Sequence, residues 1–274
     1  MSDQKDPGMG ESLEKMMEEA MEQALGGNLP ANLSPLQQVS ADMLYRQTKQ
    51  MLGNMVDYQD LMMMYTCAIK EVRTKFDVLN TEFQISHKRN PIESITTRLK
   101  RNTSIMEKMV RKGLMPTVDN IERSLNDVAG VRVVCAYIDD IYFLADALIQ
   151  QDDITLVKQK DYIKNPKPNG YRSLHLIVTV PVFFATGKRD MKVEVQIRTI
   201  AMDWWASLEH QLKYKQSVEN EEEIMRRLKE TAEVIARTDE EMLQIRKQIE
   251  QSEDIQTEDE LLFERLRHFD MPIG

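Results

Sequence analysis

One loop and two carboxylates carry the side chains best suited to chemistry on a phosphorylated substrate. The segment Lys160-Asp-Tyr-Ile-Lys-Asn-Pro-Lys-Pro-Asn-Gly-Tyr-Arg-Ser-Leu-His175 holds Lys160, Lys164, Lys167 and Arg172 around Tyr171, with two prolines and an Asn-Gly turn stiffening it. Cations meet phosphates and an aromatic ring meets a base, so the loop suits a nucleotide. Tyr171, Ser173 and His175 alternate, which predicts that they share one face of a strand running from Tyr171 to Pro181.

Downstream, Val193-Glu194-Val195-Gln196-Ile197-Arg198 alternates apolar and polar residues. Solvent exposure satisfies that pattern, and so does a cleft in which Glu194 is a metal ligand or general base. Asp127 precedes a valine-rich segment from Val128 to Ala136. Alone it reads as a turn residue. Together with Glu194 it would suit Mg²⁺, which takes one or two protein carboxylates and completes its shell with water and phosphate. Arg132, projecting opposite Val131 and Val133, suits either a surface ion pair or a purine or phosphate contact. The chain has no Gly-Lys-Ser/Thr phosphate loop and no His/Cys ligand cluster. Phosphoryl chemistry would need other machinery.

These residues need elements to hold them. Apolar residues at helical spacing from about Ala41 to Ile85, with Leu61, Tyr65, Ala68 and Val72 in one stripe, predict a long helix broken or bent near Gly53 and ended by Asn90-Pro91. The run Met62–Met64 reads as packing rather than a metal site. Ser94–Lys100 is ambiguous. Ser104–Arg111 predicts a helix with Thr103 as its N-cap. Val128–Ala136, Ile154–Val157, Tyr171–Pro181 and Met191–Thr199 predict strands, the last two joined through Ala185–Asp190. Helices are expected over Asp139–Gln150, Met202–Tyr214 and about Glu221–Glu250. Trp204 and Trp205 read as core. The order of elements predicts an α+β fold, a mixed β-sheet of four or five strands flanked by helices, with long N- and C-terminal helices. Residues 1–40 read as a disordered acidic extension, 41–252 as a single domain and 253–274 as a charged tail.

The 274 residues carry a net charge of −9, with acidic ends and a basic middle. That distribution fits a small anionic ligand better than long nucleic acid. No apolar run is long enough for a membrane span, and no cationic leader opens the chain. Cys67 and Cys135 read as buried thiols. A cytoplasmic protein is the expectation.

Taken in order, Asn126–Arg132, Lys160–His175, Glu194–Thr199 and Ala201–His210 resemble the synthetase domain of the RelA/SpoT superfamily, and more closely a small alarmone synthetase, from roughly Phe76 to the end of the second long helix. The resemblance implies a nucleotidyltransferase-like fold and transfer of pyrophosphate from ATP to the 3′-hydroxyl of GDP or GTP, giving AMP and ppGpp or pppGpp. It implies that Asp127 and Glu194 hold Mg²⁺, with Glu194 also placed to take the 3′-hydroxyl proton. Arg98 and Arg132 would sandwich the adenine, and Lys100, Ser104, Lys108 and Arg111 would meet the ATP phosphates. Tyr171 would stack on guanine, with Lys160, Lys167, Arg172 and His175 lining the acceptor side. No histidine is followed by aspartate, so we expect no hydrolase domain, and we expect independence of the ribosome. The resemblance also implies a homotetramer built through terminal helices. Ser94, Thr96 and Asp203 fall where some relatives bind their product, and they match that site poorly. Rival readings are a toxic relative that pyrophosphorylates tRNA or adenine nucleotides, and a catalytically silent nucleotide-binding oligomer.

Overall fold

The computed structural model describes residues 35–86, 89–213 and 220–253. It divides into two compact units at Leu61 and Met62, inside the first helix. Helix α1 spans Pro35–Ser86 without interruption. The expected break at Gly53 is absent, because one exposed helical glycine costs only about 1 kcal/mol and nothing crowds it. The same helix takes in residues 35–40 of the expected disordered extension. The rest of that extension, and the tail from 254, lie outside the described residues.

From Met62 onward a single sheet forms the centre. Its strands are β1 (Ile92–Leu99), β2 (Ala129–Cys135), β3 (Thr155–Asp161), β4 (Leu174–Phe184) and β5 (Gly187–Thr199), in the order β1-β2-β5-β4-β3. Only β2 and β5 pair in parallel; the other pairings are antiparallel. All of the ambiguous Ser94–Lys100 except Lys100 thus belongs to edge strand β1, whose exposed polar side chains hide its alternation. The expected strand from Tyr171 begins at Leu174 instead, because Gly170 has φ of +89° and turns the chain just upstream.

Alternation builds two faces. Val131 and Val133 on β2, Val193, Val195 and Ile197 on β5, and Leu174, Leu176 and Val178 on β4 are buried. Helix α4 (Ile138–Ile149) packs against β2 and β5, burying Ile141, Leu144, Ala145 and Leu148. Tyr65, Ala68, Val72, Phe76, Leu79 and Phe83 form the buried stripe of α1. The opposite face of the sheet carries Arg132, His175, Glu194, Gln196 and Arg198.

Between β1 and β2 lie α2 (Asn102–Arg111) and the short α3 (Val118–Ser124). Arg101, not Thr103, is the N-cap of α2, since the helix already includes Asn102 and Thr103. A threonine cap operates one helix later, where Thr117 accepts from the Asn120 amide at 3.3 Å. After β5 come α5 (Ile200–Lys213) and α6 (Glu221–Glu253), which pack together. Trp205 is core and donates to the Leu228 carbonyl at 3.2 Å. Trp204 is not core: it is 55% exposed on the opposite side of α5, as adjacent helical positions must diverge. Cys135 is buried as expected, but Cys67 is only half-buried. No described helix is long and apolar enough to cross a membrane.

Asp239 on α6 ties that helix to the start of α5. It accepts from Thr199 Oγ1 at 2.6 Å, and Thr199 Oγ1 accepts from the Met202 amide at 3.1 Å. Burial pushes the Asp239 carboxyl above its ordinary value, against opposing pulls from Thr199 and Arg172. A raised folded pKa means that the contribution to stability is present at low pH and lost as pH rises through that pKa. Asp239→Asn keeps an acceptor for Thr199 and removes the buried charge. Its Tm relative to the unsubstituted chain should therefore rise as pH climbs from the ordinary carboxylate range toward neutrality, as read by calorimetry. A flat difference across that range would show that Asp239 is not penalised by burial.

Candidate active site

Asp127 lies in the turn before β2, where the chain returns from α3 to the sheet. Its Oδ2 accepts from Lys100 Nζ at 2.6 Å and from Lys108 Nζ at 2.7 Å. Burial opposes its ionisation, but the two lysines outweigh burial and hold the carboxyl below its ordinary value. Its Oδ1 is buried with no hydrogen-bond partner. Lys108 belongs to one face of α2 that also carries Ser104 and Arg111, at helical spacings of four and three; Ser104 is half-buried and Arg111 exposed.

Glu194 stands on β5 opposite Gly130 of β2, three residues beyond Asp127. Its Oε2 accepts from Gln196 Nε2 at 2.9 Å, and its Oε1 lies 3.4 Å from His175 Nδ1. Burial opposes ionisation here too. The donors on His175 and Gln196 prevail, and the carboxyl falls below its ordinary value despite repulsion from Asp127. The two carboxylates thus sense each other, which bears on a shared cation. Among the described residues no three of His, Cys, Asp and Glu gather as a complete metal cage. Two carboxylates, one with an unpartnered oxygen, are what a hydrated Mg²⁺ requires from a protein.

Arg132 and Arg98 flank this centre. In the β1–β2 register Arg132 faces Thr96 and Arg98 faces Gly130, which makes the two arginines diagonal neighbours on one face. Arg98 is exposed. Arg132 Nη1 meets Asp203 Oδ1 at 3.3 Å. Burial and the nearby Arg198 charge make the Arg132 guanidinium less basic than usual, Asp203 opposing them.

On the other flank the 162–173 loop is tied down at many points. The Gly170 amide donates to the Lys167 carbonyl at 2.8 Å and the Tyr171 amide to Asn169 Oδ1 at 3.2 Å. Asn169 Nδ2 in turn donates to Glu209 Oε1 of α5 at 3.1 Å. Tyr171 packs on the Trp205, Ala206 and Ala232 cluster. Its hydroxyl lies 2.8 Å from His175 Nε2. Lys167 Nζ sits 4.6 Å from the Tyr171 ring centroid and 4.8 Å from that of Tyr162. Lys160 is exposed on β3, opposite His175. Arg172 is turned into the loop itself: Nη1 donates to the Ile163 carbonyl at 3.2 Å, and its charge acts on Asp239.

The structure therefore brings Asp127, Lys100, Lys108 and Arg132 to one side, Tyr171, Lys167 and His175 to the other, and Glu194 between them. Arg198 is the residue of this face whose burial alternation alone does not reveal. It occupies a polar-face position yet is 4% exposed. Its guanidinium donates to Ser173, Asp203, Gln196 and the Tyr171 hydroxyl.

This geometry has relatives. Residues 97–219 match the region found in RelA/SpoT proteins. The chain is 43% identical over 196 residues to the GTP pyrophosphokinase YwaC of Bacillus subtilis, covering 72% of this chain and 93% of that protein. The chain belongs to the RelA/SpoT family. Within that family it is a small alarmone synthetase, and solved structures agree. Small alarmone synthetase 1 from Bacillus subtilis bound to its product pppGpp superposes with a TM-score of 0.65 at 38% identity, over 70% of this chain and 97% of that one. The same enzyme bound to AMPCPP gives a TM-score of 0.60 at 34% identity, over 71% and 98%.

Proposed function

We infer that the chain is a GTP pyrophosphokinase, transferring pyrophosphate from ATP to the 3′-hydroxyl of GDP or GTP. The acceptor 3′-oxygen bonds to the β-phosphorus of ATP, the bond from that phosphorus to the α-bridging oxygen breaks, and AMP leaves. The observation that carries this is the meeting of a cationic donor flank and an aromatic acceptor flank at Glu194, on neighbouring central strands.

Each side chain has a task that its position supports. Glu194, held ionised, takes the proton of the 3′-hydroxyl. Arg98 and Arg132 grip the adenine from one sheet face. Lys100, Ser104, Lys108 and Arg111 face the ATP phosphates, and the two lysines leave Asp127 when phosphate arrives. Lys167 and Arg198 both lie against the Tyr171 ring, and guanine stacks on the face that exposed Lys167 now covers. Lys160, Lys167 and His175 line the acceptor side, while Arg172 braces the loop. Asp127 and Glu194 would hold Mg²⁺, which supplies charge neutralisation for the transferred group when bound. We also propose a homotetramer, supported by apolar side chains left exposed on α6, among them Val234, Met242, Ile245 and Ile249. The cytoplasm, where ATP and GTP are abundant, is the proposed location.

Incubation with ATP labelled in its β-phosphate, plus GDP, GTP, tRNA or AMP, tests the activity. Label on the guanine nucleotides is expected. Label on tRNA or AMP alone would assign the chain to a toxic branch, and none anywhere would leave a silent binder. Tyr171→Ala should raise KM for the guanine nucleotide about tenfold, from the loss of a stacking face, with KM for ATP little changed. Equal rises in both constants would remove Tyr171 from the acceptor site.

A further inference from the structure

A ring of polar contacts lies on the acceptor side of the site. Arg198 Nη2 donates to the Tyr171 hydroxyl and, at 2.9 Å, to Gln196 Oε1. The Tyr171 hydroxyl meets His175 Nε2 at 2.8 Å. His175 Nδ1 faces Glu194 Oε1 at 3.4 Å, and Gln196 Nε2 donates to Glu194 Oε2 at 2.9 Å. The ring starts at Arg198 and closes on Glu194 along two arms.

Its direction is not arbitrary. A guanidinium only donates. Gln196 Oε1 must therefore accept, which leaves its amide nitrogen to donate to Glu194. The Tyr171 oxygen likewise accepts from Arg198. Its single proton is then left for His175 Nε2, 2.8 Å away. With Nε2 accepting, the imidazole proton must sit on Nδ1, the nitrogen that faces Glu194. The His175 ring is buried among Tyr162 and Tyr171, with ring centroids 5.2 Å and 5.8 Å away.

We propose that Arg198 is a positioning residue that sets the direction of both arms, fixing neutral His175 as its Nδ1–H tautomer so that two neutral donors converge on Glu194. The form favoured by free imidazole, with the proton on Nε2, would set two acceptors facing each other at Nδ1 and Glu194. The 3.4 Å contact is long for a hydrogen bond, so Gln196 is the tighter of the two holds. Asp203 anchors the source of the ring, since its Oδ1 takes Arg198 Nη1 at 3.1 Å together with donor-side Arg132. The catalytic consequence rests on the proposed pyrophosphokinase reading; the tautomer does not.

Long-range proton–nitrogen correlation spectra of the full chain with ¹⁵N-labelled histidine test the proposal. Only four histidines contribute, and His175→Gln identifies the relevant signal. A neutral Nδ1–H ring is expected at neutral pH. Tyr171→Phe, which keeps the ring but removes the relay hydroxyl, and Arg198→Met should both move the proton to Nε2. Gln196→Met, on the other arm, should leave it on Nδ1. Should Arg198→Met not fold, Tyr171→Phe decides alone. An imidazolium or an Nε2–H ring in the unsubstituted chain, or one tautomer throughout the series, would overturn the proposal. Turnover of Tyr171→Phe should fall about tenfold with KM for ATP unmoved, the usual scale for losing an outer-layer partner. A chain with no turnover at all would remove the proposed activity, while the spectra still decide the tautomer.

Discussion

Glu194→Gln is expected to lower turnover about a thousandfold, within the range assigned to loss of a positioned base, with both nucleotides still binding. The substitution keeps size and shape but removes the carboxylate that stands between the two flanks. It also creates a conflict of donors. The carboxylate accepts from Gln196 at 2.9 Å and faces His175 across its second oxygen. An amide at 194 can accept on one side only and turns an NH₂ toward the other donor. Steady-state rates of AMP release and calorimetric titration with each nucleotide separate chemistry from binding. Turnover within a few-fold of the unsubstituted enzyme would remove Glu194 from the chemical step.

Gly170→Ala is expected to lose roughly 2–5 kcal/mol of stability, combining left-handed strain with overpacking. Gly170 has φ of +89°, where a side chain is strained in any surroundings. An added Cβ would also lie 2.5 Å from Ala232 Cβ and 3.2 Å from Lys229 Cα, both on α6. Neither neighbour is the tip of a flexible chain, so the loop or the helix must move. Tyr171, the next residue, moves with it, and kcat/KM for the guanine nucleotide should fall alongside the denaturation midpoint. Gly53→Ala is the contrast: nothing lies near its Cβ position on exposed helix, so a gain of up to about 1 kcal/mol is expected. Equal behaviour of the two variants would show that Gly170 is not a point of close approach.

Long periodic stretches of this chain declare themselves. The stripe from Tyr65 to Phe83, the valine strand β2 and the apolar face of α4 appear where their spacing places them, because each buries a continuous row of side chains. Elements without such a row are hidden. β1 is an exposed edge strand with Ser94, Thr96 and Thr97 outward, and α3 buries only Ile121 in seven residues. Asp127 and Glu194 are legible as residue types, but their surroundings are not. Nothing local says that Lys100 and Lys108 share Asp127, because α2 and the strand edge must first fold together. Arg198 shows the limit most plainly. Period-two alternation marks it as polar-facing, and only the loop and α5 closing over that face turn an exposed position into the interior of a ring of polar contacts. Trp204 errs the other way: its size suggests core, while its angle on α5 leaves it outside.

The one parallel pairing in the sheet has a consequence for how this chain comes into being. β4 and β5 meet through a tight hairpin and can zip locally, whereas β2 reaches β5 only after α4, β3 and β4 have all been made. Such distant closures are the slow ones. A polypeptide still leaving the ribosome therefore carries Asp127 without Glu194 beside it, and the two flanks stay apart until synthesis has passed β5 and the sheet has shut.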